Sequence, residues 1–457
     1  MRSRARRALR ALLSIALLAA TVLSASGACR AANGGPVGDD APAAAVLAIT
    51  SVSVLPMDRD TILPDHTVIV RNGRIAVVGP AAGVAVPAEA ARIDGRGLFL
   101  MPGLVDMHVH LLGEEARGDL PVYLANGVTM VRNMSGEPRH VRWRRDIERG
   151  SLAGPTLVTS GPFVERVDGD AGAARLVREH QAAGYDFAKV RVGLSPDQYA
   201  ALARAARAAG LPLVGHAPIG VPLEAVAGAG QRTLDHAESL MQAFFDERQP
   251  DASAIPRVGD AIRASGACVV PTLTVFDLVI RQTEQYPHTR ALLARPEMQY
   301  VGPELRASWQ PHRNPYVTRW RTTEAELPEA LTRFRQQFHF MRRLTTALHE
   351  AGVPLLAGTD AGAAMVVPGF SLRDELRLLH EAGVRPFDVL RAATLNAALC
   401  MDRAGEFGVV AAGARADLVL YDRNPLTAVA DLPQPSGVVV RGRWLPRDAL
   451  RALLVPR

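Results

Sequence analysis

A single lysine stands among the 52 Lys and Arg side chains of this 457-residue chain: Lys189, inside "GYDFAKVRVG". Arg and Lys replace one another freely on a solvated surface. They differ where an amine must lose its proton or form a bond, because Arg stays charged and a buried Lys shifts its pKa readily. An apolar strand is such a place, so Lys189 reads as a chemical requirement. The residues that could act with it are His108 and His110 in "VDMHVH", His216 in "VGHAP", His236 in "LDHAE" and Asp360 in "AGTDAG". Four imidazoles and a carboxylate suit zinc or a similar divalent ion. Lysine joins such a set only as a neutral amine that has taken up CO2, giving a carbamate whose two oxygens can bridge two metals. Arginine cannot do this.

Those side chains must be brought together by elements far apart in the chain. Between residues 102 and 401, short apolar runs recur, each followed by a helical pattern: "GLVDMHVHL", "GVTMVRNM", "PTLVTSG", "DFAKVRVG", "LPLVGHA", "RTLDHAE", "ACVVPTLTV" and "VPLLAGTDA". Eight strands alternating with helices such as "SPDQYAALARAARAAG" predict a (β/α)8 TIM-like barrel, with a doubly wound open sheet as the alternative. Successive strand side chains alternate faces, so His108 and His110 point the same way. The candidates then fall at strand ends, where barrel enzymes build their sites.

The two ends of the chain have a different texture. Residues 46–101 and 402–451 read as short alternating strands and turns, with Asn72-Gly73 as a hairpin signal. They predict the two parts of one small β-sandwich domain flanking the 102–401 barrel. An insertion at about 275–345, between the seventh and eighth strands, is far longer than an ordinary connection. It is either a lid or substrate wall over the site, or an oligomer interface, so a homo-oligomer stays open. Residues 1–28 carry five arginines and no acid ahead of an apolar run, the pattern of a signal peptide. A flexible linker, 29–45, follows. Cys29 after "SGA" resembles a lipoprotein cleavage site, so the expected location is exported and periplasmic, with a lipid anchor as the only membrane contact.

Composition narrows the classes. Beyond the leader, 47 basic residues face 46 acidic ones, so no basic patch for nucleic acid is implied. Cys268 and Cys400 are too few for a disulfide framework. There is no G-x-S-x-G elbow and no glycine-rich phosphate loop, which argues against a serine hydrolase or a nucleotide enzyme.

With "LMPGLVDMHVH", "YDFAKV", "VGHAP", "LDHAE", "AGTDAG", "FSLRDELRLLHEAGV", "VLRAATLNAA" and "ADLVLYDRNPL" in view, the chain from about Val46 to Leu450 resembles the metal-dependent amidohydrolase superfamily, in its imidazolonepropionase-like and prolidase-like branch. The resemblance implies that His108 and His110 bind one metal with Asp360, that His216 and His236 bind a second, and that carboxylated Lys189 bridges them. It also implies that Asp360 is the general base for hydrolysis of a carbon–nitrogen bond, in a dipeptide or an N-acyl amino acid. Arg191, on the strand face of Lys189, could hold a substrate carboxylate or form a salt bridge within the barrel. His140 could touch substrate or lie on the surface. Asn133 stands where relatives often carry Asp. Two further readings remain: an esterase, lactonase or phosphotriesterase using the same site, or a non-catalytic exported ligand-binding barrel.

Overall fold

The computed structural model describes residues 46–285, 290–310, 327–363 and 365–457. The leader, the linker with Cys29 and part of the insertion lie outside the described residues.

The chain starts with β1 (Val46–Val54), β2 (Leu63–Arg71), β3 (Arg74–Pro80), β4 (Ala91–Asp94) and β5 (Phe99–Pro102). In β1, Leu47 and Ile49 face one apolar cluster while Val46 and Ala48 face another. Alternation would send Val52 and Val54 to the second cluster. A register shift after Ile49, with Ser51 in a left-handed conformation (φ +53°), returns them to the first. An extra residue in one strand does this by moving every later side chain to the other face. Asn72 and Gly73, both at positive φ, turn β2 into β3.

The barrel follows. β6 (Leu104–Val109), β7 (Val128–Asn133) and β8 (Thr156–Thr159) run parallel, as do β9 (Ala188–Val190), β10 (Leu213–Gly215), β11 (Thr233–Asp235) and β12 (Cys268–Val270). Bridges from Ser160 to Phe187 and from Val164 to Val190 join the two sets. The eighth run bridges β12 through Val269 and Leu355, and β6 through Val109 and Ala361. Hydrogen bonds of 2.7 Å from Asp360 N to His108 O and from His110 N to Ala361 O fasten the ring at its ligand-bearing end. The connecting helices obey the usual signals. Pro196–Ala209 begins at Ser195, which shares a reciprocal cap with Gln198, and stops at Gly210 with φ +67°. Such a cap contributes about 1 kcal/mol.

Two helices form the ends of the insertion. Leu273–Glu284 and Leu327–Glu350 pack through Phe276, which meets Phe334 edge-on and stacks on Phe338. Trp309, Met298 and Val301 are buried in the main core. The described part of the insertion is therefore packed structure, continuous with the barrel wall.

β13 (Leu418–Tyr421) then pairs onto β5, Leu418 opposite Pro102 through Tyr421 opposite Phe99, and β14 (Gly437–Val440) and β15 (Arg443–Pro446) add beyond it. Both ends of the chain thus share one eight-stranded sheet in the order β15-β14-β13-β5-β1-β2-β3, with β4 beside β1. Cys268 of β12 and Cys400, at the end of the helix Leu395–Cys400, form a disulfide with Cα atoms 6.4 Å apart. Two cysteines too few for a framework still make one bridge. It lies in an apolar cluster with Val105, Met107, Met130 and Leu356, at the N-terminal end of β12.

Candidate active site

The histidine pair of β6 is aimed by a bulge. The ladder between β6 and β7 shifts register between Asp106 and Val109, beside His108. Bulges next to functional sites commonly redirect a side chain in this way. Gly362, at φ +102°, lets the turn after Asp360 lie against His110; a Cβ there would meet His110 O at 2.6 Å. Asp360 and His236 adopt φ of +60° and +72°. Left-handed residues other than glycine cost of order 1–3 kcal/mol each and persist where the surroundings over-determine them.

The side chains named from the sequence meet at this end of the barrel. Donor atoms of His108, His236 and Asp360 all lie within 4.8 Å of one another. His110 Nε2 is 2.8 Å and His108 Nε2 3.3 Å from Asp360 Oδ1. The His216 and His236 rings are 4.6 Å apart, and those of His108 and His236 4.4 Å. Lys189, 1% exposed, places Nζ 3.0 Å from His108 Nε2. Gly215 on the neighbouring strand makes room, since a Cβ there would meet Lys189 Cγ at 3.0 Å and Val190 O at 2.7 Å.

Burial governs the protonation states. It pulls the Lys189 amine down to about 7 and the His236 imidazole down to about 4. Burial, assisted by neighbouring positive charge, holds His108 and His216 well below the usual histidine range and lowers His110. For Asp360 burial works upward, but His110, His108 and His236 outweigh it and hold the carboxyl well below the usual carboxylate range. Burial thus works against charge on each imidazole, while the rings beside Asp360 favour its carboxylate form. Asp360 Oδ1 is buried without a hydrogen-bond partner despite the two ring nitrogens beside it. Nitrogen and carboxylate lone pairs gathered in this way are the donor set of a divalent cation, so the residues fit the metal that the sequence suggests.

Beneath the cluster lies a polar layer that the spacing of residues did not disclose. Arg132, 2% exposed, donates to Met107 O at 2.6 Å, to Thr233 Oγ1 at 3.0 Å and to both oxygens of fully buried Asp235 at 3.2 and 3.0 Å. Asp235 Oδ2 comes within 3.0 Å of His108 Nδ1, though too poorly aligned for a hydrogen bond. Asp106 accepts from His108 N, Thr359 N and Thr359 Oγ1, tying β6 to the eighth run next to both metal-ligand candidates. Charged residues inside the apolar runs "VDMHVH" and "TMVRNM" were the available signal.

His140 requires a correction. It neither lies on the surface nor faces substrate: it is fully buried, with both ring nitrogens engaged. Nδ1 accepts from Glu137 N at 2.9 Å, which leaves the proton on Nε2 to be donated to Leu111 O at 2.9 Å. Asn133 Nδ2 reaches the same Nδ1 at 3.0 Å, and Asn133 Oδ1 accepts from Leu111 N at 3.0 Å. Asn133 and His140 together brace the chain just after His110.

Arg191 behaves differently. Its guanidinium lies 4.7 Å from the centre of the Phe163 ring, over which Lys189 Nζ also sits at 5.3 Å, and no carboxylate among the described residues pairs with it. Phe163 also meets His110 edge-on. Leu112 and Ile219, two and three residues past His110 and His216, are exposed. Among the described residues, Arg191 is thus an unpaired cation at an apolar rim.

These features define an α/β barrel with a buried His, Lys and Asp centre. The amidohydrolase family model matches residues 99–445. An imidazolonepropionase from Rhizorhabdus wittichii is 26% identical over 392 residues, 79% of this chain and 89% of that protein. Among solved structures, bottromycin amidohydrolase superposes with a TM-score of 0.70 at 27% identity, over 91% of this chain and 89% of its own. A putative prolidase from Bifidobacterium longum shares the fold, with a TM-score of 0.68 at 23% identity over 90% and 99% of the two chains. The chain belongs to the amidohydrolase family and is a hydrolase acting on carbon–nitrogen bonds.

Proposed function

We propose that this chain is an exported binuclear metal-dependent hydrolase that cleaves the amide bond of dipeptides or N-acyl amino acids. One observation carries the reading: the only lysine of the chain is buried with its amine 3.0 Å from His108 Nε2, among four imidazoles and a carboxylate. His108, His110 and Asp360 would hold one ion, His216 and His236 the other, and Lys189 would stand between them. The Lys189 nitrogen uses its lone pair to bond the carbon of CO2 and releases one proton, which leaves an anionic carbamate. Divalent ions, zinc being the natural choice for this donor set, supply Lewis acidity and lower the pKa of water.

The protein's own part is positioning and proton transfer. Asp360, kept ionised by the surrounding imidazoles, takes a proton from the attacking water and returns it to the leaving nitrogen. The products are a carboxylate and an amine. Arg191 is the carboxylate clamp, because an unpaired guanidinium at the rim suits a substrate that carries a free carboxylate. Phe163, Leu112 and Ile219 offer apolar surface to the remainder. The cationic and then apolar N-terminus supports export, with Cys29 as the lipid attachment site, and the Cys268–Cys400 bridge suits an oxidising compartment.

Lys189→Arg tests the reading. Metal content and hydrolysis of a panel of dipeptides, N-acyl amino acids and matched esters are measured for the mature protein and the variant. The wild type is expected to hold about two metal ions per chain and to prefer amides, and the variant to lose both properties, since Arg stays protonated and cannot form a carbamate. A folded variant with unchanged metal content and rate would remove the bridging lysine from the mechanism.

A further inference from the structure

We infer that Glu375 is a positioning residue for His236, acting through Thr272 and the start of the helix Leu273–Glu284. The inference rests on the reading of His236 as a metal ligand. Glu375 is fully buried on the helix Ser371–Glu381, which follows the eighth run. Its Oε1 accepts from Leu273 N at 3.1 Å, and its Oε2 accepts from Thr274 N at 2.8 Å and Thr274 Oγ1 at 2.9 Å. All three donors belong to the first turn of the helix Leu273–Glu284, where backbone N–H groups have no partner within the helix. A carboxylate also has the favourable charge there.

The residue just before that turn is Thr272, a β-branched residue at φ +50°. This conformation is an outlier for such a side chain and must be imposed by its surroundings. Glu375 imposes it from one side by fixing the next two residues. The result is visible on the other side: Thr272 Oγ1 lies 2.8 Å from His236 Nδ1. His236 N and Ala237 N reach back to Val270 O at 2.7 Å and Pro271 O at 2.9 Å, so the ends of β11 and β12 are interlocked. With Nδ1 engaged by Thr272, the ring plane of His236 is set, and Nε2 is left to the ligand cluster. One carboxylate on the helix after the eighth run thus orients a ligand at the end of β11 by holding the segment that follows β12.

The test uses zinc affinity, measured by competition with a chromophoric chelator, on the wild type, Glu375→Gln, Thr272→Val and the double variant. Gln places an amide N–H2 where only acceptors serve, and Val removes Oγ1 alone. Each single variant should bind zinc about 10–100-fold more weakly, and the double variant no more weakly than the worse single one, because both break the same link. A residue that serves only the stability of the helix would lower the unfolding midpoint and leave zinc affinity untouched; that result in folded Glu375→Gln overturns the inference. Should Glu375→Gln fail to fold, Thr272→Val decides, and unchanged affinity overturns it equally. A wild type that binds no zinc sinks the metal reading instead. The His236 ring in crystals of the metal-free variants then judges the link: a rotated ring supports it and an unmoved one overturns it.

Discussion

Replacing Arg132 with methionine would strand a charge in the middle of the barrel. Asp235 is fully buried, and Arg132 is its only cationic partner among the described residues, giving two of its four hydrogen bonds to that carboxylate and the others to Met107 O and Thr233 Oγ1. Removing one member of a buried ion pair costs about 3–5 kcal/mol, because the remaining charge keeps its desolvation penalty without compensation. Set against a typical stability of about 5–15 kcal/mol, that is a large fraction of the total. The double variant Arg132→Met/Asp235→Leu removes the stranded charge as well, and should recover most of the loss, since apolar replacement of a whole buried pair is often neutral. Urea unfolding of the metal-free proteins at constant pH measures both. A single variant within about 1 kcal/mol of wild type, or a double variant as unstable as the single one, would refute the claim that the pair's charges are mutually dependent. Zinc affinity separates stability from site support. His108 Nδ1 loses the Asp235 carboxylate in the double variant, so affinity should stay about 10–100-fold low even where stability returns.

Two further expectations concern the rim and the brace. Arg191→Gln should raise KM about 10–100-fold for substrates bearing a free carboxylate, the loss of one charge-assisted hydrogen bond of about 1.5–3 kcal/mol, and leave their uncharged amide analogues unchanged; equal effects on both would remove Arg191 from substrate binding. Asn133→Asp should reverse the pH slope contributed by His140. In the wild type, burial lowers that imidazole, so its contribution to stability is present above the unfolded value of about 6.5 and is lost as pH falls. A carboxylate against Nδ1 raises the folded pKa, so the contribution is present below about 6.5 and is lost as pH rises through the new value. Parallel urea midpoints for the two proteins between pH 5 and 8 would sink this account.

What can be read from the sequence follows the range of the interactions involved. Strand periodicity is local, so the eight runs and the strand-end places of His108, His110, His216, His236 and Asp360 are legible in the order of residues alone. The Asn72-Gly73 turn and the Ser195 cap are legible for the same reason. The support beneath the site is not. Arg132 meets Asp235 across 103 positions, Asp106 meets Thr359 across 253, and Glu375 meets Thr274 across 101. No spacing rule announces such pairs. The bulges at Ile49 and beside His108 are hidden too, because one extra residue changes which face a side chain takes without altering composition. His140 is misplaced for a related reason. A histidine among polar neighbours looks solvated until the chain folds Asn133, Glu137 and Leu111 around it.

The Cys268–Cys400 bridge has a topological consequence. Its ends lie 132 positions apart and close a covalent ring that carries the insertion, the eighth run of the barrel and Asp360. The candidate ligands His108, His110, Lys189, His216 and His236 all precede the ring. A peptide bond cut anywhere inside it opens the loop but releases neither arm, so the segment bearing Asp360 remains fastened to the segment bearing the other ligand candidates. The barrel can be nicked in its longest connection and still be one molecule.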